Sequence, residues 1–356
     1  MILLNPGPVN VSPRVTAALA RGDLCHREPE FAELQASIRD RLARAFAPKG
    51  DFSPILLTGS GTAALEAAVT SVLSATGRLV VVANGVYGER IAAIAAAARL
   101  PCEVVEGAWT APPDLEAVER AARAPDVEAV AVVHHETTTG LRNPVADVGR
   151  IARRHGKLLV VDAISSLAGD ALPLDEVGAD LVVGTGGKCI EAFPGIAFVL
   201  VRRSVMERLA QHPRRSLYLS LAVHHEAQER RTVPFTPAVQ LAYALDEALA
   251  ELLEEGVANR IARYAAAARL LRDGFERLGL GFVLPAERRS NSITALWLPE
   301  GRTYAALHDG LKARGFVIYE GQGRLARDIF RVANMGRLTA GDFTAFLLAL
   351  ETVLAA

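Results

Sequence analysis

The sequence predicts an α/β fold: a predominantly parallel, seven-stranded sheet covered on both faces, followed by a smaller C-terminal α+β lobe. Three observations carry that expectation. Short apolar runs alternate with amphipathic, Ala-rich helical stretches through the first two thirds of the chain, the pattern of successive βαβ units. Groups suited to binding and catalysis stand just past the carboxyl ends of those runs, where ligands collect in open parallel sheets. From about Pro234 the alternation gives way to long helical stretches with fewer strands between them.

In chain order, an N-terminal arm comes first, residues 1–14. Its Asn5-Pro6-Gly7-Pro8 segment cannot be regular structure, since two prolines and a glycine forbid a ladder or helix there. The arm is expected to pack across the lobes near the site. A large lobe, 15–245, follows. Its strands are expected at Pro54–Leu57, Arg78–Ala83, Cys102–Val105, Val127–His134, Lys157–Asp162, Asp180–Gly184 and Ile196–Arg202. Helices are expected between them at Ala63–Leu73, Gly88–Arg99 and Asp114–Ala122. A small lobe, 246–356, is joined through a long helical region, Val239–Glu255 and then Asn259–Leu278. It carries strands at Ser292–Trp297, Phe316–Tyr319 and Ile329–Ala333.

Composition narrows the function. With 356 residues, 51% of them hydrophobic, the chain can fill a sizeable core. Lys and Arg number 39 against 40 Asp and Glu, so there is no electrostatic case for nucleic acid or an anionic membrane. Small-molecule chemistry is the expectation. Cys25, Cys102 and Cys189 are odd in number and widely spaced, which suits neither a disulfide framework nor a zinc site. A reducing cytoplasm is the simplest location. The first residues lack a basic segment followed by a long apolar one, so no signal peptide is read. The Ala-rich run Ile91–Leu100 is too short to span a bilayer.

Two strand ends carry the sharpest signal. Asp162 closes one apolar run, and Lys188 closes the glycine-rich turn Gly184-Thr185-Gly186-Gly187 after the next. A lysine that can form a Schiff base and an Asp for a pyridinium nitrogen are what a pyridoxal-phosphate enzyme needs from its protein. Each residue also has a plain structural reading, a turn or helix cap for Asp162 and a solvated side chain for Lys188. Thr58-Gly59-Ser60-Gly61-Thr62 follows a strand and opens a helix, a place where backbone N–H groups and the helix dipole favour a phosphate. A tight, capped βα turn fits the same residues, and the absence of a Walker lysine disfavours a nucleotide P-loop.

Further groups join these. Tyr87, after the next strand, could stack on a cofactor ring or simply pack between lobes. Thr137, Thr138 and Thr139 offer three hydroxyls at another strand end, where one could bond a phenolate oxygen. His134-His135-Glu136 and His224-His225-Glu226 resemble metal ligands in composition only. Neighbours on a strand face opposite ways, so no metal site is read. Arg331, inside the alternating run Ile329–Ala333, would need an anionic partner if buried and could grip one with its forked donors. An exposed edge-strand arginine is the other reading.

Together these segments resemble class V of the fold-type-I pyridoxal-phosphate aminotransferases. The resemblance runs nearly end to end, through NPGPVNVSP, CHREPEF, GSGTAALEA, NGVYGER, HHETTTGLRNPV, VDAISSLAG, GGKCIEAFPGIAFVL and FRVANMG. Within the class, CHRE, ETTTG, KCI and the Phe330–Arg331 pair are most similar to the 2-aminoethylphosphonate–pyruvate aminotransferases; alanine–glyoxylate and serine–pyruvate aminotransferases share the skeleton. By matching position the resemblance implies Lys188 as the Schiff-base lysine and Asp162 as the partner of the ring nitrogen. It implies Tyr87 and Ile164 on the two ring faces, Thr137 near the phenolate oxygen, and Ser60, Gly61 and Thr62 at the phosphate. Thr236 of the partner subunit would help hold that phosphate, and Arg331 would hold the substrate anion. It also implies a homodimer with shared sites. Gly187 and the stretch Tyr319–Gly323 depart from the phosphonate enzymes, which carry Asn and a YPGK-like run there. A cysteine desulfurase is disfavoured, because no cysteine follows Cys189.

Overall fold

A computed structural model describes residues 1–355. All seven expected strands of the large lobe form: β1 (Phe52–Gly59), β2 (Arg78–Ala83), β3 (Cys102–Glu106), β4 (Val127–Val133), β5 (Leu158–Asp162), β6 (Leu181–Thr185) and β7 (Gly195–Arg202). They make one sheet in the order β1-β7-β6-β5-β4-β2-β3. Neighbours are parallel except at β7, which runs antiparallel to both β6 and β1. The carboxyl ends of β1, β2, β4, β5 and β6 therefore share one edge.

The inner strands are largely apolar because both faces are covered, whereas edge strand β3 carries Glu103 and Glu106. Val80, Val130, Val132, Leu159 and Val161 enter the core on one face. Leu79, Ala129, Ala131, Leu158 and Val160, the alternate residues, enter the core on the other. Burial of each Val or Leu contributes about 1.5–3 kcal/mol, so the register is strongly set, and a one-residue slip would exchange the two cores.

The principal helices are α1 (Pro29–Phe46), α2 (Gly61–Ser71), α3 (Val86–Ala97), α4 (Leu115–Ala122), α5 (Val145–Arg154), α6 (Leu221–Glu229), α7 (Val239–Glu255), α8 (Val257–Arg277) and α9 (Ala340–Ala355). Helix α1 is an addition to the sequence reading. Its signal is present, with Pro29 in the first turn and Phe31, Leu34, Ile38 and Leu42 buried along one face. No helix among the described residues is long and apolar enough to cross a membrane.

In the C-terminal part, β8 (Ile293–Trp297), β10 (Ile329–Ala333) and β9 (Tyr319–Glu320) form an antiparallel sheet in that order. It packs over a separate core that includes Leu271, Phe275, Phe330 and Phe346. One expectation needs correction. The single strand read over Phe316–Tyr319 divides at Ile318: Tyr319 and Glu320 pair with β10, whereas Phe316 and Val317 pair in parallel with Ile2 and Leu3. The chain's first residues thus tie the arm to the small lobe. Past them, residues 5–8 leave regular structure and reach Lys188.

Candidate active site

Asp162 ends β5, paired with Val133 of β4 and Val183 of β6. This register fixes its carboxylate at the middle of the sheet's carboxyl edge. One oxygen, Oδ1, accepts from the Ile164 amide at 3.0 Å, as a turn-forming aspartate does. The other, Oδ2, is buried and has no protein partner among the described residues. Burial pushes this carboxyl up to about 6. A turn role alone does not account for a buried acceptor left open.

Lys188 stands in the turn after β6, the strand adjacent to Asp162. Burial pushes its amine down to about 8. Nζ donates to the carbonyl of Pro6 in the arm. The backbone at Gly7 has φ +93, and a Cβ there would lie 2.9 Å from Lys188 Cδ. Only glycine allows both that conformation and that approach. The turn is anchored behind the lysine: Arg260 donates to the Cys189 carbonyl at 3.1 Å, and Tyr264 donates to buried Glu191 at 2.6 Å. Glu191 itself sits at φ +67, a conformation a non-glycine residue holds only where its surroundings over-determine it.

Ser60, Gly61 and Thr62 form the N-terminus of α2. Ser60 is exposed and makes no side-chain cap. Among the described residues, the Gly61 and Thr62 amides have no protein acceptor. The Thr62 hydroxyl accepts from Arg90 at 3.3 Å. Open amides, a helix dipole and a nearby cation make an anion cradle. A Cβ on Gly61 would lie 2.9 Å from Ile164 Cδ1, so the cradle lies directly against Ile164.

Tyr87 is in the first turn of α3, with the Arg90 guanidinium 4.5 Å from its ring centre. Its place is set from another strand end. The buried carboxylate of Glu136 accepts from the Tyr87 amide at 3.3 Å and the Gly88 amide at 3.2 Å. Glu136 thereby caps α3, while His135 turns the opposite way to the Ser165 carbonyl at 3.2 Å. Of the three threonines, Thr137 meets the Ser165 hydroxyl at 2.7 Å, Thr138 donates to Glu136 at 2.5 Å and Thr139 donates to the Trp109 carbonyl at 3.1 Å. His224 and His225 lie in α6, where His224 bonds the Tyr218 carbonyl at 2.7 Å.

Arg331 is 1% exposed. It donates from Nε to the Glu320 carbonyl at 2.9 Å, and from Nη1 to the Thr137 carbonyl at 2.9 Å and to Gln322 Oε1 at 3.1 Å. The guanidinium therefore joins β10 of the small lobe to the end of β4. Thr137, which Arg331 holds, meets Ser165 in the turn whose Ile164 amide bonds Asp162, and this links Arg331 to the carboxyl end of β5. Thr236 does not join them within a single chain. It is exposed and lines a different cavity with Thr58, Tyr218 and Phe235. Not read from the sequence were Glu136 as a helix cap, Ser165 and Glu191; the arm was expected near the site without its contact with Lys188, and Gln322 stood only within the departing stretch Tyr319–Gly323. Glu136, Glu191 and the arm act across long stretches of chain, and no local pattern announces them.

This geometry agrees with what the chain is similar to. The family model for aminotransferase class-V matches residues 14–322. The 2-aminoethylphosphonate–pyruvate transaminase of Vibrio cholerae is 36% identical over 98% of this chain and 96% of its own length. That of Syntrophobacter fumaroxidans is 37% identical over 96% and 93%. Among solved structures, an aspartate aminotransferase of subgroup IV from Thermus thermophilus superposes with a TM-score of 0.92 at 31% identity, covering 100% of this chain and 99% of that one. An alanine–glyoxylate aminotransferase from Nostoc sp. gives 0.93 at 29% identity, covering 99% and 95%. A fold-type-I architecture and a sheet edge that gathers Lys188, Asp162 and Arg331 are thus found in a chain that belongs to the class V aminotransferases.

Proposed function

We propose that the chain is a pyridoxal-phosphate-dependent transaminase that moves the amino group of 2-aminoethylphosphonate, or a related aminophosphonate, to pyruvate. The products would be phosphonoacetaldehyde and L-alanine. The proposal includes a cytoplasmic homodimer with shared sites and a division into arm (1–14), large lobe (15–245) and small lobe (246–356). The names of the relatives from Vibrio cholerae and Syntrophobacter fumaroxidans support the donor and acceptor. The observation that carries the cofactor is the open, buried Oδ2 of Asp162 beside the strand that delivers Lys188.

The residues present fit pyridoxal phosphate. Lys188 would hold its aldehyde, Ser60, Gly61 and Thr62 its phosphate, and Thr236 of the partner subunit would assist them. Tyr87 and Ile164 would orient the ring, Thr137 would serve its phenolate oxygen, and Asp162 its nitrogen. When bound, the group supplies a carbonyl that takes up amines and a conjugated ring that accepts the electron pair left on carbon after deprotonation. Asp162 would keep a proton on the ring nitrogen, because a facing negative charge favours the protonated form. Lys188 Nζ would take the proton from the donor's amine-bearing carbon as base and give it, as acid, to the carbon that was the cofactor's aldehyde. A lowered amine pKa suits that double task near neutral pH. Arg331 holds the donor's phosphonate and, in the second half-reaction, the carboxylate of pyruvate.

A second reading, transfer between alanine or serine and glyoxylate or pyruvate, draws on the Nostoc structure's similarity and on the lack of a lysine in Tyr319–Gly323. A donor panel with pyruvate and glyoxylate separates the two. Turnover of aminoethylphosphonate with pyruvate is the expected result. Inert aminoethylphosphonate alongside brisk transfer from serine or alanine to glyoxylate would establish the second reading instead.

A further inference from the structure

The hydrogen-bond inventory of Arg331 leaves a question of access. A guanidinium has five N–H donors. The donor on Nε goes to the Glu320 carbonyl, and both on Nη1 go to the Thr137 carbonyl and to Gln322 Oε1. Among the described residues only Nη2 has no protein acceptor. A two-oxygen grip on an anion needs N–H groups from two nitrogens along one edge of the fork. No edge is fully free: Glu320 occupies Nε, and the Thr137 carbonyl and Gln322 share Nη1.

The three occupants differ in how easily they yield. The Glu320 carbonyl belongs to β9, whose residues are paired to β10, and the Thr137 carbonyl belongs to a buried turn at the end of β4. Gln322 is a half-buried side chain on a loop. That loop is fastened to the large lobe by Arg324, 5.0 Å from the Trp109 ring centre and 2.9 Å from Glu89. The Arg324 and Glu89 side chains are 70% and 44% exposed, and exposed pairs of this kind hold weakly. Because arginine has no acceptor, the atom of Gln322 that faces it is the oxygen.

We propose that Gln322 is the internal placeholder of the substrate-anion site, and so a specificity-determining residue. This rests on the reading of Arg331 as the anion holder. In the empty site the amide oxygen satisfies a donor on a buried cation that would otherwise be costly to leave unpaired. A substrate anion displaces it from Nη1, since an ion-to-ion hydrogen bond outweighs one to a neutral amide. Nη1 and Nη2 then hold two anion oxygens together. A neutral ligand cannot evict the placeholder, so Gln322 filters for charge, and its own bond sets how tightly an anion must bind to enter.

The test titrates the holoenzyme calorimetrically with two anions that carry no amine, methylphosphonate and propanoate. KM for donor and for pyruvate is measured in parallel. Gln322→Ala should bind both anions about fivefold more tightly, the worth of one released hydrogen bond, with the gain also visible in KM. Gln322→Glu should bind both about tenfold or more weakly, because a carboxylate pairs with the guanidinium and is hard to evict; lowering the pH until that carboxylate protonates should restore binding of methylphosphonate, which is still an anion there, but not of propanoate, which is then neutral. Unchanged or weaker binding in Gln322→Ala would overturn the inference while leaving Arg331 in its role. Undiminished anion binding in Arg331→Ala would overturn the role of Arg331, and the placeholder with it.

Discussion

The two ends of the candidate site are built by different means. At one end Asp162 and Lys188 stand on adjacent parallel strands of a sheet buried on both faces. The turn after Lys188 is pinned by Arg260 and by buried Glu191. At the other end Arg331 leaves the short strand β10 and is held by a two-residue strand, a turn and a loop side chain. The first end has little freedom. The second rests on the partly exposed segment 321–325, which Arg324 fastens by a weak surface pair. Groups that handle protons need fixed placement, because small displacements cost large factors in rate. Groups that choose between anions can adjust.

Three outcomes sharpen that contrast, or break it. Lys188→Ala should lose turnover by about 10⁴-fold or more, since both the covalent anchor and the proton carrier go; far-UV dichroism should stay unchanged. Measurable turnover near the parent rate would remove the large-lobe end from the chemistry. Arg331→Ala should raise KM for donor and acceptor by about 30-fold, the loss of a desolvated charge-assisted contact. A fall in kcat alone would mean that the small lobe takes part in the chemical steps.

The smallest effect is in pH. Burial lowers the Lys188 amine to about 8, so the neutral, nucleophilic form is the minority at pH 7 and the majority above 8. Stopped-flow uptake of pyridoxal phosphate by the apoprotein should therefore quicken about tenfold between pH 7 and 9 and then level off. An ordinary lysine would keep accelerating past pH 10. Such continued acceleration would show that the amine is not held in a desolvated place.

The same contrast separates what was legible in the sequence from what was not. The strands β1–β7 could be read because a parallel sheet covered on both faces leaves continuous apolar runs, and Asp162 and Lys188 could be placed because they terminate two of them. The small lobe was harder. Phe316–Tyr319 looks like one strand locally, yet it splits because Ile2 and Leu3, distant in sequence, claim its first half. Glu136 reads as part of a histidine–glutamate group, although it caps a helix that begins 50 residues earlier. Gln322 carries no motif at all. Its role depends on where the Arg331 fork points, which tertiary packing alone decides.

We propose that one amine, Lys188 Nζ, captures the cofactor's aldehyde, with the open oxygen of Asp162 serving the same ring. Borohydride reduction of the protein after incubation with pyridoxal phosphate, followed by peptide mapping, tests it directly. One label per chain is expected, on the peptide that contains Lys188, and no label in Lys188→Ala. A label on Lys49, Lys157 or Lys312, or none on any lysine, would contradict it.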